Sequence, residues 1–292
     1  MAVALAVLIL LVVVALALFA LAWKASSDAL HPGPGGYEWS LADYPRLHPE
    51  DVRVNSRTGA VLAGRFFPGE SRATVVLAHG YGGNQDELLP VAGALHDGGF
   101  SVFSYDSRGA GRSTGEIAFG AREREDVESV VDYLTTRPDV DAGRIGALAF
   151  SMGAASTLMA AADDKRIRAV VDDSGWADVH HWLRPKLTDM FLHPRARFTP
   201  LSMKLIELRT GIDFDDLKPG DVVGRIAPRP LLIVHGADDD VVPASDGDEL
   251  FAAAREPKEL WRVEDAGHGD TLRPGGPTSS ERVVAFFRQA LG

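Results

Sequence analysis

The chain has 292 residues, 46% of them hydrophobic and 24% charged, which fits one large domain with appendages and a sizeable buried core. A net charge of -11 argues against a nucleic-acid partner, because phosphate binding needs concentrated Lys and Arg. With no cysteine, disulfides, thiolate chemistry and Cys-based metal sites are excluded.

The first element is an unbroken apolar run from Ala2 to Trp23, closed by Lys24. As a helix rising ~1.5 Å per residue it is long enough for a bilayer core of about 30 Å, so residues 1–24 are expected to be a single-pass membrane anchor. A cleaved signal peptide is the rival, with Ala20-Leu21-Ala22 resembling a cleavage site. Against it, no Lys or Arg precedes the run, and the run exceeds the usual apolar region of ~7–15 residues. A buried core helix is the third reading, and such helices rarely lack every polar residue. Lys24 alone leans towards a cytoplasmic C-terminal side, which leaves the side of the membrane open. Residues 25–48, with His31-Pro32-Gly33-Pro34-Gly35-Gly36 inside them, read as a linker, and the domain is expected over 49–292.

Asp51 to Ser56 and Val61 to Phe67 flank Arg57-Thr58-Gly59, which predicts an antiparallel hairpin. Buried strands are then predicted at Thr74 to Ala78, Ser101 to Tyr105, Ile145 to Phe150, Ala169 to Val171, Leu231 to Val234 and Leu260 to Val263. Helical spacing separates them at Glu87 to His96, Glu123 to Leu134 and Met152 to Ala162, and returns at Glu281 to Leu291. The alternation predicts an α/β fold with a mostly parallel central sheet of about eight strands and helices on both faces. Trp176 to Arg225 breaks the rhythm without a strand and reads as a small helical cap, over about 176–225. Ligands of such sheets bind outside the carboxyl ends of the strands, so the loops after His79, Tyr105, Phe150, Asp172, His235 and Val263 are where chemistry is expected.

Four of those loops carry candidates. Ala149-Phe150-Ser151-Met152-Gly153 joins a buried strand directly to a helix, the context of a nucleophile elbow, with small residues two before and two after the serine. The plain alternative is that Ser151 only caps the helix. At the helix N-terminus, the Met152 N–H stands where an oxyanion would need it. His79-Gly80-Tyr81-Gly82-Gly83-Asn84 offers the Tyr81 N–H as a second donor, with His79 read as a loop-holding residue. His235-Gly236-Ala237-Asp238-Asp239-Asp240 brings an acid to the same edge, with Asp172 and Asp173 as candidates from an earlier strand. Gly267-His268-Gly269 brings an imidazole, and the order Ser151, Asp239, His268 is the order of a nucleophile-elbow triad. His180, His181 and His193 are read as lid or surface residues and not as a metal site.

From about Val52 to the C-terminus these pieces, with Asp106-Ser107-Arg108-Gly109-Ala110-Gly111-Arg112-Ser113, resemble the α/β-hydrolase superfamily. Arg144-Ile145-Gly146 and Ile226-Ala227-Pro228-Arg229-Pro230 resemble its bacterial esterase-like and acylaminoacyl-peptidase-like members; Ala149 departs mildly from the usual glycine. The resemblance puts the acid on Asp239, with Asp173 as rival, and makes the Asp106 to Ser113 turn structural. It implies a serine hydrolase that forms an acyl-serine on Ser151, with His268 as base and Tyr81 and Met152 as oxyanion donors. No metal or organic cofactor is implied. The expected substrate is a small-molecule acyl ester or thioester. A peptidase or amidase on the same triad stays open, as does a membrane-tethered binding protein on a hydrolase fold. Oligomeric state is not legible.

Overall fold

The computed structural model describes residues 1–33, 35–37, 39–188, 200–272 and 280–292, with side chains of 184–188 left aside. His193, one of the three histidines singled out in the sequence, lies outside the described residues. Eight strands form one sheet: β1 (Glu50–Asn55), β2 (Val61–Phe67), β3 (Thr74–Ala78), β4 (Ser101–Tyr105), β5 (Ile145–Phe150), β6 (Ile167–Asp173), β7 (Leu231–Gly236) and β8 (Lys258–Val263). Their order is β1-β2-β4-β3-β5-β6-β7-β8. β1 and β2 pair antiparallel, as do β2 and β4, and every later pairing is parallel.

The central strands β3, β4, β5 and β7 are buried at every residue, which explains their continuous apolar runs. Each face carries its own core. Val127, Val130, Val131 and Leu134 of α3 (Glu123–Thr136) join Ala154 and Leu158 of α4 (Met152–Asp163) on one side. Leu89, Val91 and Leu95 of α2 (Leu89–Asp97) join Val283, Phe287 and Leu291 of the C-terminal helix (Glu281–Leu291) on the other. Strand β6 is longer than its three apolar residues suggested, because buried Asp172 and Asp173 complete it at the carboxyl end. Helix α2 starts two residues later than expected, and Glu87 is spent on holding a loop instead.

Between β6 and β7 the described residues form α5 (Val179–Thr188), α6 (Pro200–Thr210), α7 (Pro219–Val222) and two short 3-10 turns, with no strand among them. An apolar cluster of Trp176, Val179, Trp182, Ile206, Phe214 and Leu217 seats this segment on the carboxyl edge of the sheet and reaches Met152.

The N-terminal helix α1 (Ala2–Leu30) is a single helix, with 29 residues and mean hydropathy 3.3 in its most apolar stretch, none of which is buried by the rest of the chain. It is long and apolar enough to cross a membrane. The linker expected over 25–48 is corrected by its packing. The helix continues to Leu30, and Ser26, Ala29, Leu30 and Leu47 are buried. Arg209 Nη1 of α6 donates to Ser26 Oγ (2.8 Å) and Ser27 Oγ (2.9 Å). Gly35 N donates to Gly82 O (3.0 Å), and Trp39 Nε1 to Asp86 O (2.7 Å). Gly and Pro removed the apolar periodicity that marks a packed segment, yet side-chain and backbone hydrogen bonds hold it all the same.

Candidate active site

Strand β5 turns into α4 at Ser151, whose backbone sits at φ 54°, ψ -119°. For a residue with a Cβ this left-handed φ costs of order 1–3 kcal/mol, which the surrounding structure must hold in place. It does so by contact: Ser151 N donates to Asp173 O (2.8 Å), and a Cβ on Gly153 would lie 2.5 Å from the carbonyl oxygens of Ala78 and His79. The small residue after the serine is therefore a requirement of close backbone approach. Ser151 makes no side-chain capping bond to its own helix. Its Oγ lies 3.0 Å from His268 Nε2.

His268 stands on the loop after β8, its ring centroid 4.8 Å from that of Phe150, and its side chain is 14% exposed. Its Nδ1 lies 2.8 Å from Asp239 Oδ2. Asp239 Oδ1 accepts the backbone N–H groups of Val241 (2.9 Å) and Val242 (2.8 Å), which aims the second oxygen at the ring. Burial pushes this carboxyl up, but the His268 hydrogen bond and charge, with the two backbone donors, outweigh it and hold its pKa below the ordinary value. The loops bearing acid and imidazole are themselves tied together, since Asp238 N donates to Ala266 O (3.0 Å) and Ala237 N to Val263 O (2.8 Å). A Cβ on Gly236 would sit 2.3 Å from Ala266 O, so that junction admits only glycine.

The structure thus brings Ser151, His268 and Asp239 into one hydrogen-bonded chain. Asp173, the rival acid, is engaged elsewhere: its Oδ1 accepts from Thr271 Oγ1 (2.6 Å) and Ser174 Oγ (3.1 Å). Burial raises its pKa to about 6, against the pull of those two hydroxyls. Asp172, fully buried beside it, is pushed well above the ordinary range by burial and by Asp173.

The loop after β3 lies against Ser151, as a Cβ on Gly80 would meet Ser151 Cβ at 3.3 Å and the Phe150 ring at 3.0 Å. Tyr81 follows directly. Met152 opens α4, so its N–H belongs to the first-turn donors that have no partner within the helix. His79 holds its loop from both nitrogens, with Nδ1 2.8 Å from Gly80 O and Nε2 accepting from Ser107 N (2.9 Å). His235 Nε2 lies 3.1 Å from Val242 O, and burial lowers its pKa. The Asp106 to Ser113 turn closes on itself: Asp106 accepts from Arg112 N (2.8 Å) and Gln85 N (2.9 Å), and Ser113 Oγ donates to Asp106 O (2.6 Å). His180 and His181 pair with Asp215 and Asp246 at 3.0 Å each, and no cluster able to hold a metal occurs among the described residues.

Two supports of this site escaped the sequence. Glu87 Oε2 accepts the Gly80 N–H (2.7 Å) while its Oε1 accepts from Tyr37 Oη (2.9 Å), so a carboxylate braces the loop that carries Tyr81. Tyr81 Oη donates to Ala29 O (2.7 Å), tying the same loop to the end of α1. Neither belongs to a local motif, and Tyr37 lies in the stretch read as linker.

The fold and this site define a serine hydrolase of the α/β-hydrolase superfamily. A family model described as X-Pro dipeptidyl-peptidase (S15 family) matches residues 43–191, just over half of the chain and including Ser151. The chain belongs to that family. It is 29% identical over 252 residues to the uncharacterised YfhR protein of Escherichia coli, covering 83% of this chain and 81% of that one. An uncharacterised protein of Mycobacterium tuberculosis is 28% identical over 244 residues, with 82% and 79% covered. Among solved structures, an esterase of Pyrococcus furiosus superposes with TM-score 0.73 at 22% identity, covering 90% of this chain and 99% of that one. The α/β hydrolase GrgF of a Penicillium species gives 0.68 at 24% identity, with 84% and 99% covered.

Proposed function

We propose that the chain is a membrane-anchored serine hydrolase that cleaves carboxylic esters or thioesters through an acyl-serine. The observation that carries the reading is the hydrogen-bonded chain from Asp239 through His268 to Ser151. As Ser151 Oγ attacks the acyl carbonyl, His268 Nε2 takes its proton, and the ionised Asp239 steadies the imidazolium and keeps Nδ1 protonated. The oxyanion forms against the backbone N–H groups of Met152 and Tyr81. His268 returns the proton to the departing alkoxide or thiolate, then deprotonates the water that hydrolyses the acyl-serine. These steps are complete with side chains and water. Membrane attachment is assigned to α1 from its length and its uninterrupted apolar surface.

An acyl substrate is favoured by the apolar cluster next to the nucleophile, in which Met152 packs with Phe119 and Trp182 and against Tyr81. The esterase titles of structural neighbours from Pyrococcus furiosus and Rhodothermus marinus point the same way. A second reading, a peptidase on the same triad, is favoured by the family description. A fluorophosphonate probe should label the wild type and leave Ser151→Ala unlabelled; labelling of that variant would refute the nucleophile. Unlabelled enzyme is assayed in parallel on p-nitrophenyl esters of graded chain length beside X-Pro anilides. Faster turnover of esters is expected, and anilide turnover that outpaces them decides for the peptidase.

A further inference from the structure

Apolar surface outside α1 is concentrated in one place. Among the described residues, every large hydrophobic side chain left exposed belongs to Met1, α1, or Leu201 and Leu208 of α6. Single exposed leucines are ordinary on a protein surface. These two are distinguished by position. Leu201, Lys204 and Leu208 follow the i, i+3, i+7 spacing of one helix face, and all three are exposed, while Ser202, Ile206 and Thr210 on the opposite side are buried. Leu208 is 72% exposed and Leu201 45%. Lys204 lies between them in the helix and pairs with Glu207, with most of its side chain exposed.

Helix α6 is fastened to α1 where the apolar run ends. Arg209 donates to Ser26 and Ser27, and its guanidinium lies 4.7 Å from the centroid of the Trp23 ring. Trp, Lys and Arg are the side chains that settle at the boundary between hydrocarbon and water. With Ala2 to Trp23 across the hydrocarbon, Trp23 and Lys24 stand at that boundary. The residues that grip α6 then lie within about one helical turn, ~5.4 Å, beyond it. The exposed face of α6 is therefore continuous with the surface that meets lipid.

We propose that α6 is a membrane-facing helix, with Leu201 and Leu208 seated at the headgroup–acyl boundary of the bilayer that α1 crosses, so that the segment over the active-site edge rests on the membrane. The proposal rests on the reading of α1 as a span. The bilayer is preferred to a second copy of the chain because Arg209 holds α6 to α1 at Trp23, Ser26 and Ser27, and any span already commits α1 to lipid.

The chain has no cysteine, so single-cysteine variants report on one position each. Full-length protein in phosphatidylcholine vesicles is labelled at Leu208→Cys, Leu201→Cys, Leu18→Cys of α1, or Lys165→Cys, an exposed residue between α4 and β6 at the opposite edge of the sheet. The label is nitrobenzoxadiazole, and the vesicles include phosphatidylcholine with a nitroxide high on its acyl chain. Labels at Leu18, Leu201 and Leu208 should emit to the blue and lose most of their fluorescence to the nitroxide, while the label at Lys165 stays bright. If the Leu18 label is quenched but those at Leu201 and Leu208 remain as bright as Lys165, the docking of α6 is wrong and the span stands. Blue emission from α6 without quenching means that protein covers it, which also overturns the proposal. An unquenched Leu18 label removes the span, and the proposal with it.

Discussion

The hydroxyl of Tyr81, next to the glycine that touches the nucleophile, donates to the carbonyl oxygen of Ala29 in the last turn of the N-terminal helix, 2.7 Å away. The apolar helix and the candidate oxyanion loop are thereby one mechanical unit, with Ala29 and Leu30 buried in the same cluster as Met152.

Truncation should expose this coupling. A chain beginning at Trp23 keeps Ala29, Leu30 and the serines that bind Arg209, and is expected to be soluble and active. One beginning at His31 leaves the Tyr81 hydroxyl without Ala29 O and opens a gap where two buried side chains stood, so turnover and thermal midpoint should both fall. Tyr81→Phe in the intact chain isolates the hydrogen bond, at a cost of about 1 kcal/mol. Equal activity of the two truncations would show that the contact does not support the loop.

Asp239→Asn should lower kcat by roughly 10⁴-fold, because an amide cannot keep the His268 tautomer that accepts the serine proton. Asp173→Asn should change kcat little, since its carboxyl serves Thr271 and Ser174. Steady-state kinetics of both variants decide the matter, and the reverse ranking would move the acid to β6.

Stability should fall as pH rises from mildly acidic to mildly alkaline. Burial raises Glu123 from 4.5 to about 7 and Asp173 from 3.8 to about 6. Between those values the folded chain holds protons that the unfolded chain has shed, so each pH increment favours unfolding until both groups are ionised. Asp239 works in the opposite sense, because its lowered pKa contributes stability that is lost only as pH falls through the folded value. The thermal midpoint should be higher at pH 5 than at pH 8, and Glu123→Gln with Asp173→Asn should reduce the difference, leaving the share of Asp172, which burial also raises. An unchanged slope in that double variant would assign the effect to other groups.

Arg108 and Asp126 form a buried ion pair, with Nε–Oδ2 at 2.7 Å and Nη2–Oδ1 at 2.6 Å. Asp126→Ala strands the guanidinium and should cost about 3–5 kcal/mol in denaturant unfolding. Replacing both with apolar residues of similar volume should cost far less. A mild single variant would mean that Ser56 and Thr58, which also accept from Arg108, carry the charge unaided.

That Ser151, His268 and the acid loop would meet was legible because each is announced by its own neighbours: small residues around an elbow, glycines around the histidine, a strand end before each. Strands β3, β4, β5 and β7 were legible because burial on both faces leaves unbroken apolar runs, and β1 and β2 because a turn divides them. Glu87 was not, since its partner Tyr37 lies fifty residues away and either residue alone looks like surface. The packing of the stretch read as linker was hidden for the same reason, as its hydrogen bonds reach Arg209, Glu87 and Asp86, far along the chain. Asp172 and Asp173 extend β6 against composition; Thr271 and Ser174 take up the carboxyl of Asp173, a distant pairing that composition does not foresee.

Helix α4 carries a different lesson, for anyone who would alter this protein. From Met152 to Ala162 every residue is buried, and most are alanine, serine or glycine, so the backbone that presents Ser151 lies almost directly on its neighbours. A lengthened side chain anywhere along that helix displaces main chain before it displaces another side chain, and the displacement ends at the nucleophile. In a saturation library selected for activity, this stretch should admit the fewest enlargements in the chain, and changes of substrate preference will have to be sought in the helices above it.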